Sequence, residues 1–334
     1  MTGKITLKDI AKAAGVSEMT VSRALRGSSD ISESTRLKVQ NLANSMGYVP
    51  NRIAGALSSQ TVNLVGIVVP SLSSMVFPEV LRGISTTLKE SPLQPVIGVS
   101  GYDLVEEESV IREMLSWRPS GLIVAGLEHT ENALQMMRNA DVPVVEIMDT
   151  DGTPVDFCVG ISHIDAGYQM GKTILQAGHR KIGFVGTKMS YDFRAQKRLA
   201  GFEKALSESG ITLHDKENYT GGSTLAKGKE ITKQLLSRSP DLDCIYFSSD
   251  IMSAGALLYC MGAGIEVPGA LALAGHNNLE MLEGLPLPLA TTEAFRFEIG
   301  LQAGKIISNF AEYEGAEKSF KFETKVLDGN SLHK

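Results

Sequence analysis

A chain of 334 residues with 43% hydrophobic and 21% charged residues is longer than one compact core usually holds, and its composition excludes intrinsic disorder. No run approaches the roughly 18 apolar residues of a membrane span, and the start MTGKITLKDI has no apolar segment with a small-residue cleavage site, so a cytoplasmic protein without a membrane partner is expected. The net charge of −6 is uneven: residues 1–60 carry eight bases against four acids, the remaining 274 carry 24 bases against 34 acids, and only the first segment suits a polyanionic partner.

Residues 1–49 are predicted to form three short helices. Thr6 precedes Leu7, Ile10, Ala11 and Ala14, spaced as one apolar face, with Asp9 placed to complete a capping box and Gly15 to stop the helix. Ser17 caps a second helix that buries Val21, Ala24 and Leu25 and leaves Glu18, Met19, Ser22 and Arg23 outward. Ser32 caps a third, buried through Val39, Leu42, Ala43 and Met46 and ended by Gly47. Two helices joined by a tight glycine turn, the second exposing short polar groups and an arginine, suit a helix-turn-helix entering a major groove. A plain three-helix bundle with solvated polar residues carries the same pattern. Residues 50–61 follow as hinge and linker. The stretch from Asn51 to Ser58 makes only a marginal helix, which Gly55 weakens by about 1 kcal/mol against alanine.

From residue 62 to 330, short apolar runs at 64–69, 95–99, 121–126, 143–148, 181–186, 243–248 and 270–275 alternate with amphipathic segments of helix length. Such runs indicate parallel strands covered on both faces, and their number favours two doubly wound lobes with a ligand cleft at the strand ends, an α/β core behind an all-α headpiece. Cys158, Cys244 and Cys260 lie in apolar runs and read as reduced, buried thiols; the six histidines lack metal-ligand spacing, so no metal or cofactor is expected. Ala166-Gly-Tyr-Gln-Met-Gly-Lys-Thr173 nearly satisfies a phosphate-binding loop, but Asp165 reads as an N-cap or first-turn residue and Tyr168, Met170, Ile174 and Leu175 continue as a helix. Glu106, Glu107 and Glu108 read as a solvated helix face. With no nucleophile-base arrangement, catalysis is not expected.

The run from Thr6 to Ser58 resembles the headpiece of the lactose-repressor (LacI/GalR) family of bacterial transcription regulators. The resemblance lies in Asp9-Ile10-Ala11, Ala14-Gly15-Val16-Ser17, Thr20-Val21-Ser22-Arg23, Gly47-Tyr48 and Pro50-Asn51-Arg52. It implies that Ser17, Thr20, Ser22, Ser32 and Asn51 hold phosphates, that Arg23 offers two donors to a guanine edge, and that Glu18 and Met19 read bases. Thr6, Tyr48, Arg52 and Ala54 belong to the same interface, and Leu57 wedges into the minor groove. The body resembles the sugar-binding core of that family, implying a first lobe at about 62–160 and 292–319 and a second at about 161–291 and 320–330, with a final strand at 320–326 in the second lobe.

The same resemblance implies a homodimeric repressor reading a pseudo-palindromic operator in double-stranded DNA under control of a small effector, with carbohydrate catabolism or uptake genes as targets. Arg198, in the element Arg198-Leu199-Ala200-Gly201-Phe202, matches the family's effector arginine, and Arg194 stands beside it, while Lys197 reads as solvated. Phe247 and Asp250 are expected to line the cleft. Asn277 replaces the aspartate most members carry, a departure expected for an anionic ligand. Pro70-Ser71-Leu72, the run from Phe77 to Ile84, and the run from Pro143 to Asp149 are similar to the gluconate-repressor branch. The implied effector is gluconate or a related aldonate, near Ser71 and Phe77, with Glu146 and Asp149 on its hydroxyls. The end Asn330-Ser331-Leu332-His333-Lys334 carries no leucine heptad, which favours a dimer over a tetramer. A neutral-sugar or nucleoside effector, co-repression or activation, and a sugar-binding transport protein are the competing expectations.

Overall fold

The computed structural model describes residues 5–49 and 62–333, which divide into two compact units, the second starting at Asn63. The first contains α1 (Leu7–Ala14), α2 (Glu18–Leu25) and α3 (Glu33–Ser45). Each begins as its capping residue dictates: Thr6 accepts from the Asp9 amide while Asp9 returns a bond to the Thr6 amide, Ser17 accepts from Thr20, and Ser32 from Thr35. Gly15 closes α1 at φ +71°, a conformation costly for any residue with a Cβ. Ile10, Ala11, Ala14, Val21, Ala24, Val39 and Ala43 form the small core.

The second unit holds two sheets. The first contains β1 (Val62–Val69), β2 (Gln94–Val99), β3 (Pro119–Ala125), β4 (Val144–Ile147), β5 (Phe157–Gly160) and β11 (Ser319–Lys321), in the order β11-β5-β4-β3-β1-β2. Its pairs β1–β2, β3–β4, β4–β5 and β5–β11 are parallel. The second is parallel with order β7-β6-β8-β9, built from β6 (Ile182–Thr187), β7 (Asp215–Tyr219), β8 (Cys244–Phe247) and β9 (Ala272–Ala274). β10 (Thr291–Glu293) pairs antiparallel with β12 (Lys325–Leu327), and bridges from Ala274 to Ala290 and from Asn277 to Glu293 lay it beside the second sheet.

Helices cover both faces of each sheet, as near-continuous apolar strands require. On the first sheet, Phe77, Val80 and Ile84 of α4 (Phe77–Leu88) and Ile299, Ala303 and Ile306 of α11 (Arg296–Ser308) pack on Val65, Ile67 and Val69. On its other face, Ile111 and Met114 of α5 (Leu104–Ser116) and Ala133 and Met137 of α6 (Glu131–Arg138) meet Val68, Leu122 and Val124. The second sheet carries α7 (His163–Gln176) and α8 (Phe193–Ser207) against Phe184 and Tyr246, and α9 (Leu225–Arg238) and α10 (Asp250–Ala263) against Val185, Ile245 and Phe247. Three helix pairs touch backbone to backbone at reciprocal glycines: Gly83 and Gly300, Gly167 and Gly201, and Gly228 and Gly255.

The strand expected at 320–326 is two strands, and the part at 319–321 stays in the first sheet rather than moving to the second lobe, because Ser319, Phe320 and Lys321 align with Cys158, Val159 and Gly160. The chain crosses between lobes after β5, after β10 and between β11 and β12. β5, β7 and β10 were not among the expected strands. The three cysteines are free and buried. Among the described residues no helix is long and apolar enough to cross a membrane.

Candidate operator face and effector cavity

On the first unit, α2 turns Glu18 and Met19 to solvent, Met19 being 64% exposed. The hydroxyls of Ser17 and Thr20 are 2.9 Å apart, and Ser22 Oγ accepts from Arg26 Nη2 at 2.5 Å. Arg23, half exposed, places Nη1 2.9 Å from Asp30 Oδ2. Thr6 Oγ1 donates to Asp9 at 2.7 Å, Ser32 is exposed, and Tyr48 is half-buried against the small core. Arg26, one turn beyond Ser22 and exposed, is a further cation on this face that the sequence reading did not single out. The expected contacts at Asn51, Arg52, Ala54 and Leu57, and Gly55 with them, lie outside the described residues.

Between the strand ends of the second unit lies a cavity of about 140 Å³. Of the expected effector residues, Ser71, Phe77, Arg194, Arg198 and Asn277 line it, joined by Tyr102, Met148, His163, Thr187, Lys188, Asp192 and Ser248. Lys188, Arg194 and Arg198 face a single lining carboxylate, Asp192, which is also the N-cap of α8. Arg198 is buried; its Nη1 donates to His163 Nδ1 at 2.9 Å and its Nη2 to the Ser248 carbonyl at 3.4 Å, while its Nε has no partner. Burial lowers the Arg198 pKa from its ordinary value, yet a guanidinium stays charged. Arg194 lies over the Phe77 ring at 5.8 Å with Nε 3.7 Å from Asp192, and its buried Nη1 is also unpartnered. Lys188 Nζ sits 4.2 Å above the Tyr102 ring, whose hydroxyl burial pushes up to about 12.

Four expected residues stand outside the lining. Phe247 lies within β8 and points into the core beneath α9 and α10. Asp250 is fully buried and accepts from the Leu279 amide at 2.9 Å and the Thr291 hydroxyl at 2.7 Å, so it pins the turn that carries Asn277; burial raises its pKa to about 6. Glu146 accepts from the Val155 amide and stands 3.3 Å from His129, whose other nitrogen is 2.6 Å from Glu107. Burial works against the His129 charge, but the two carboxylates outweigh it and hold the pKa at about 9. Glu107 is thus a buried ion-pair partner and not a solvated residue. Asp149 is taken by Lys197 at 2.7 Å, which also reaches Glu128 at 2.6 Å, so Lys197 is a bridging cation and not a solvated one.

Most of the missed lining residues share one signal. Tyr102, Thr187, Lys188 and Ser248 each stand at or within three residues of the C-terminal end of a parallel strand, where a doubly wound sheet opens its crevice, and His163 starts the helix after β5. Side chains inside a doubly covered strand, such as Phe247 and Glu146, have no route to that crevice.

Residues 63–321 match the family model of periplasmic binding proteins and the sugar binding domain of the LacI family, and residues 6–51 match that of bacterial regulatory proteins, lacI family. The chain is 36% identical to the HTH-type transcriptional regulator GntR of Pseudomonas aeruginosa over 91% of its own length and 88% of the relative's. It is 30% identical to the HTH-type transcriptional regulator IdnR of Escherichia coli over 98% and 99%. A crystal structure of a LacI-family transcriptional regulator from Silicibacter pomeroyi, 54% identical, superposes with a TM-score of 0.95 over 99% of this chain and all of that one. Matched over both the helix-turn-helix unit and the two-lobed core, the chain belongs to the lacI family of bacterial regulatory proteins and is a DNA-binding transcription regulator.

Proposed function

We propose that this regulator is a cytoplasmic repressor that acts as a homodimer on a pseudo-palindromic operator and is controlled by a sugar acid, gluconate or a related aldonate, held in the cavity. The observation that carries the anionic ligand is Arg198: a buried guanidinium whose hydrogen-bond partners are an imidazole and a carbonyl, both uncharged. The lining carboxylate Asp192 is shared among three cations and makes no hydrogen bond to Arg198; a buried charge so weakly compensated is costly, and a ligand carboxylate would offset that cost while meeting the free donors of Arg198 and Arg194. Ser71, Thr187 and Asn277 supply partners for a hydroxyl chain. Similarity to the regulators GntR and IdnR and to the gluconate-repressor motifs supports the same reading. On the DNA, Arg23 reads a guanine, with Glu18 and Met19 beside it, and Ser17, Thr20, Ser22 and Ser32 fix the phosphates.

Calorimetry on the full chain with gluconate, galactonate and the neutral alditol glucitol tests the reading, alongside release of a duplex selected from random DNA. The aldonates bind and release the DNA, glucitol binds at least about tenfold more weakly, and Arg198→Ala loses roughly 2 to 5 kcal/mol of aldonate affinity with ligand-free DNA affinity little changed. Equal binding of glucitol would refute the sugar-acid assignment. A sedimentation mass near four chains would refute the dimer.

A further inference from the structure

His163 opens α7 at the point where the chain first passes from one lobe to the other, and both its ring nitrogens are engaged. An arginine has only donors, so the 2.9 Å contact from Arg198 Nη1 fixes His163 Nδ1 as an acceptor. The proton is then on Nε2, which donates to the Met148 carbonyl at 2.6 Å. Met148 belongs to the first lobe, just past β4, and its backbone is held at φ +73°, a left-handed conformation that a side chain disfavours and that needs support from its surroundings. The ring is buried, lines the cavity and is surrounded by the charges of Arg198, Arg194 and Lys197, with the His276 ring 5.9 Å away. Burial first and those cations second keep it neutral.

We propose that His163 is a positioning residue for the effector: its single tautomer aims the Arg198 guanidinium into the cavity and fastens it to the Met148 carbonyl across the lobe boundary. The consequence rests on the sugar-acid reading above. Without the ring, Arg198 keeps only its long bond to Ser248 and turns freely, so the anion must order it on binding. A glutamine can replace the ring because its amide offers an adjacent donor and acceptor; a leucine offers neither.

The test combines nitrogen NMR on the ligand-free full chain with aldonate calorimetry for wild type, His163→Leu and His163→Gln. The expected ring signal is the neutral Nε2–H tautomer, unchanged between pH 5.5 and 8. Rotation of the Arg198 terminal nitrogens is hindered in wild type and in His163→Gln and fast in His163→Leu. Gluconate affinity falls about 10- to 100-fold in His163→Leu and stays within about threefold of wild type in His163→Gln. A titrating ring, a proton on Nδ1, or equal gluconate affinity in His163→Leu overturns the proposal. If His163→Leu does not fold, the wild-type ring signal and the His163→Gln affinity decide. If wild type binds no aldonate, the sugar-acid reading fails, and the tautomer and guanidinium rotation still decide whether His163 holds Arg198.

Discussion

Arg23 and Arg198 are held in opposite ways. Arg23 shares one nitrogen with Asp30 at the surface, where solvent screens the pair and leaves the guanidinium able to exchange its carboxylate for a base edge. Arg198 is locked by buried partners and waits for a charge to arrive. From this difference, Arg23→Ala is expected to relax discrimination at one guanine by about 1 to 3 kcal/mol, leaving non-specific binding weaker by a smaller amount. Titrating wild type and Arg23→Ala against DNA with and without that guanine forms a double cycle. Additive losses would mean that Arg23 meets only phosphate. Ser17 is the cap of α2, so its removal would mix helix stability with the proposed phosphate contact, and Arg23 is the cleaner probe.

The α7–α8 pair sets the geometry of the cavity through small residues. A Cβ on Gly167 would collide with the Arg198 carbonyl, and one on Gly201 with the Ile164 carbonyl; both obstacles are backbone and cannot turn aside. Gly167→Ala is therefore expected to cost about 1 to 3 kcal/mol in urea unfolding and to lower effector affinity, because it separates the helices that carry His163 and Arg198. Gly262→Ala near the end of α10, where nothing lies within 4 Å, is expected to stabilise by up to about 1 kcal/mol. The same sign for both would show that the close approach carries no weight. Gly167 and Gly171, one turn apart on α7, also explain the near match of 166–173 to a phosphate loop: Gly167 meets the Arg198 backbone and Gly171 meets Ala205 and Phe202, so their spacing serves helix contact, on a helix capped by Ser162 with Asp165 in its first turn. Such a purpose depends on a partner helix 30 residues away, which no local pattern shows. The strands that escaped notice did so for related reasons. β7 reads Asp-Lys-Glu-Asn-Tyr, an edge strand without an apolar run, and β10 reads Thr-Thr-Glu, three residues that are strand only through pairing with distant segments. The long apolar strands, the three caps and Gly15 were legible because their signals lie within a few neighbouring residues.

The two lobes of the core meet along a line of cations. Lys188 over Tyr102, Arg194 over Phe77 and Lys197 on Glu128 and Asp149 all reach from the second lobe to the first, and Arg296 joins the Asn278 carbonyl at 2.8 Å to that of Met75 at 3.3 Å. Lys197 is the one whose loss exposes the electrostatics of the seam, since the Asp149 side chain it holds has no solvent exposure. Burial already raises the Asp149 carboxyl above its ordinary 3.8, opposed by Lys197 and by the Asp151 amide. In Lys197→Met the carboxyl rises further, so the folded chain keeps its proton at pH values where the unfolded chain has released it. An acid shifted in that direction makes folding weaker as pH rises from the unfolded value through the folded one. The deficit of Lys197→Met against wild type is thus expected to be small near pH 4.5 and to grow to about 3 kcal/mol at pH 7, less than a fully buried pair would lose because the lysine is partly exposed. Adding Asp149→Asn to that variant removes the buried charge, recovers most of the loss and flattens its pH dependence. Urea unfolding of the three proteins between pH 4.5 and 7.5 measures this directly. A deficit that stays constant across the range would mean that Asp149 keeps its charge without Lys197 and that packing, not the ion pair, closes the seam.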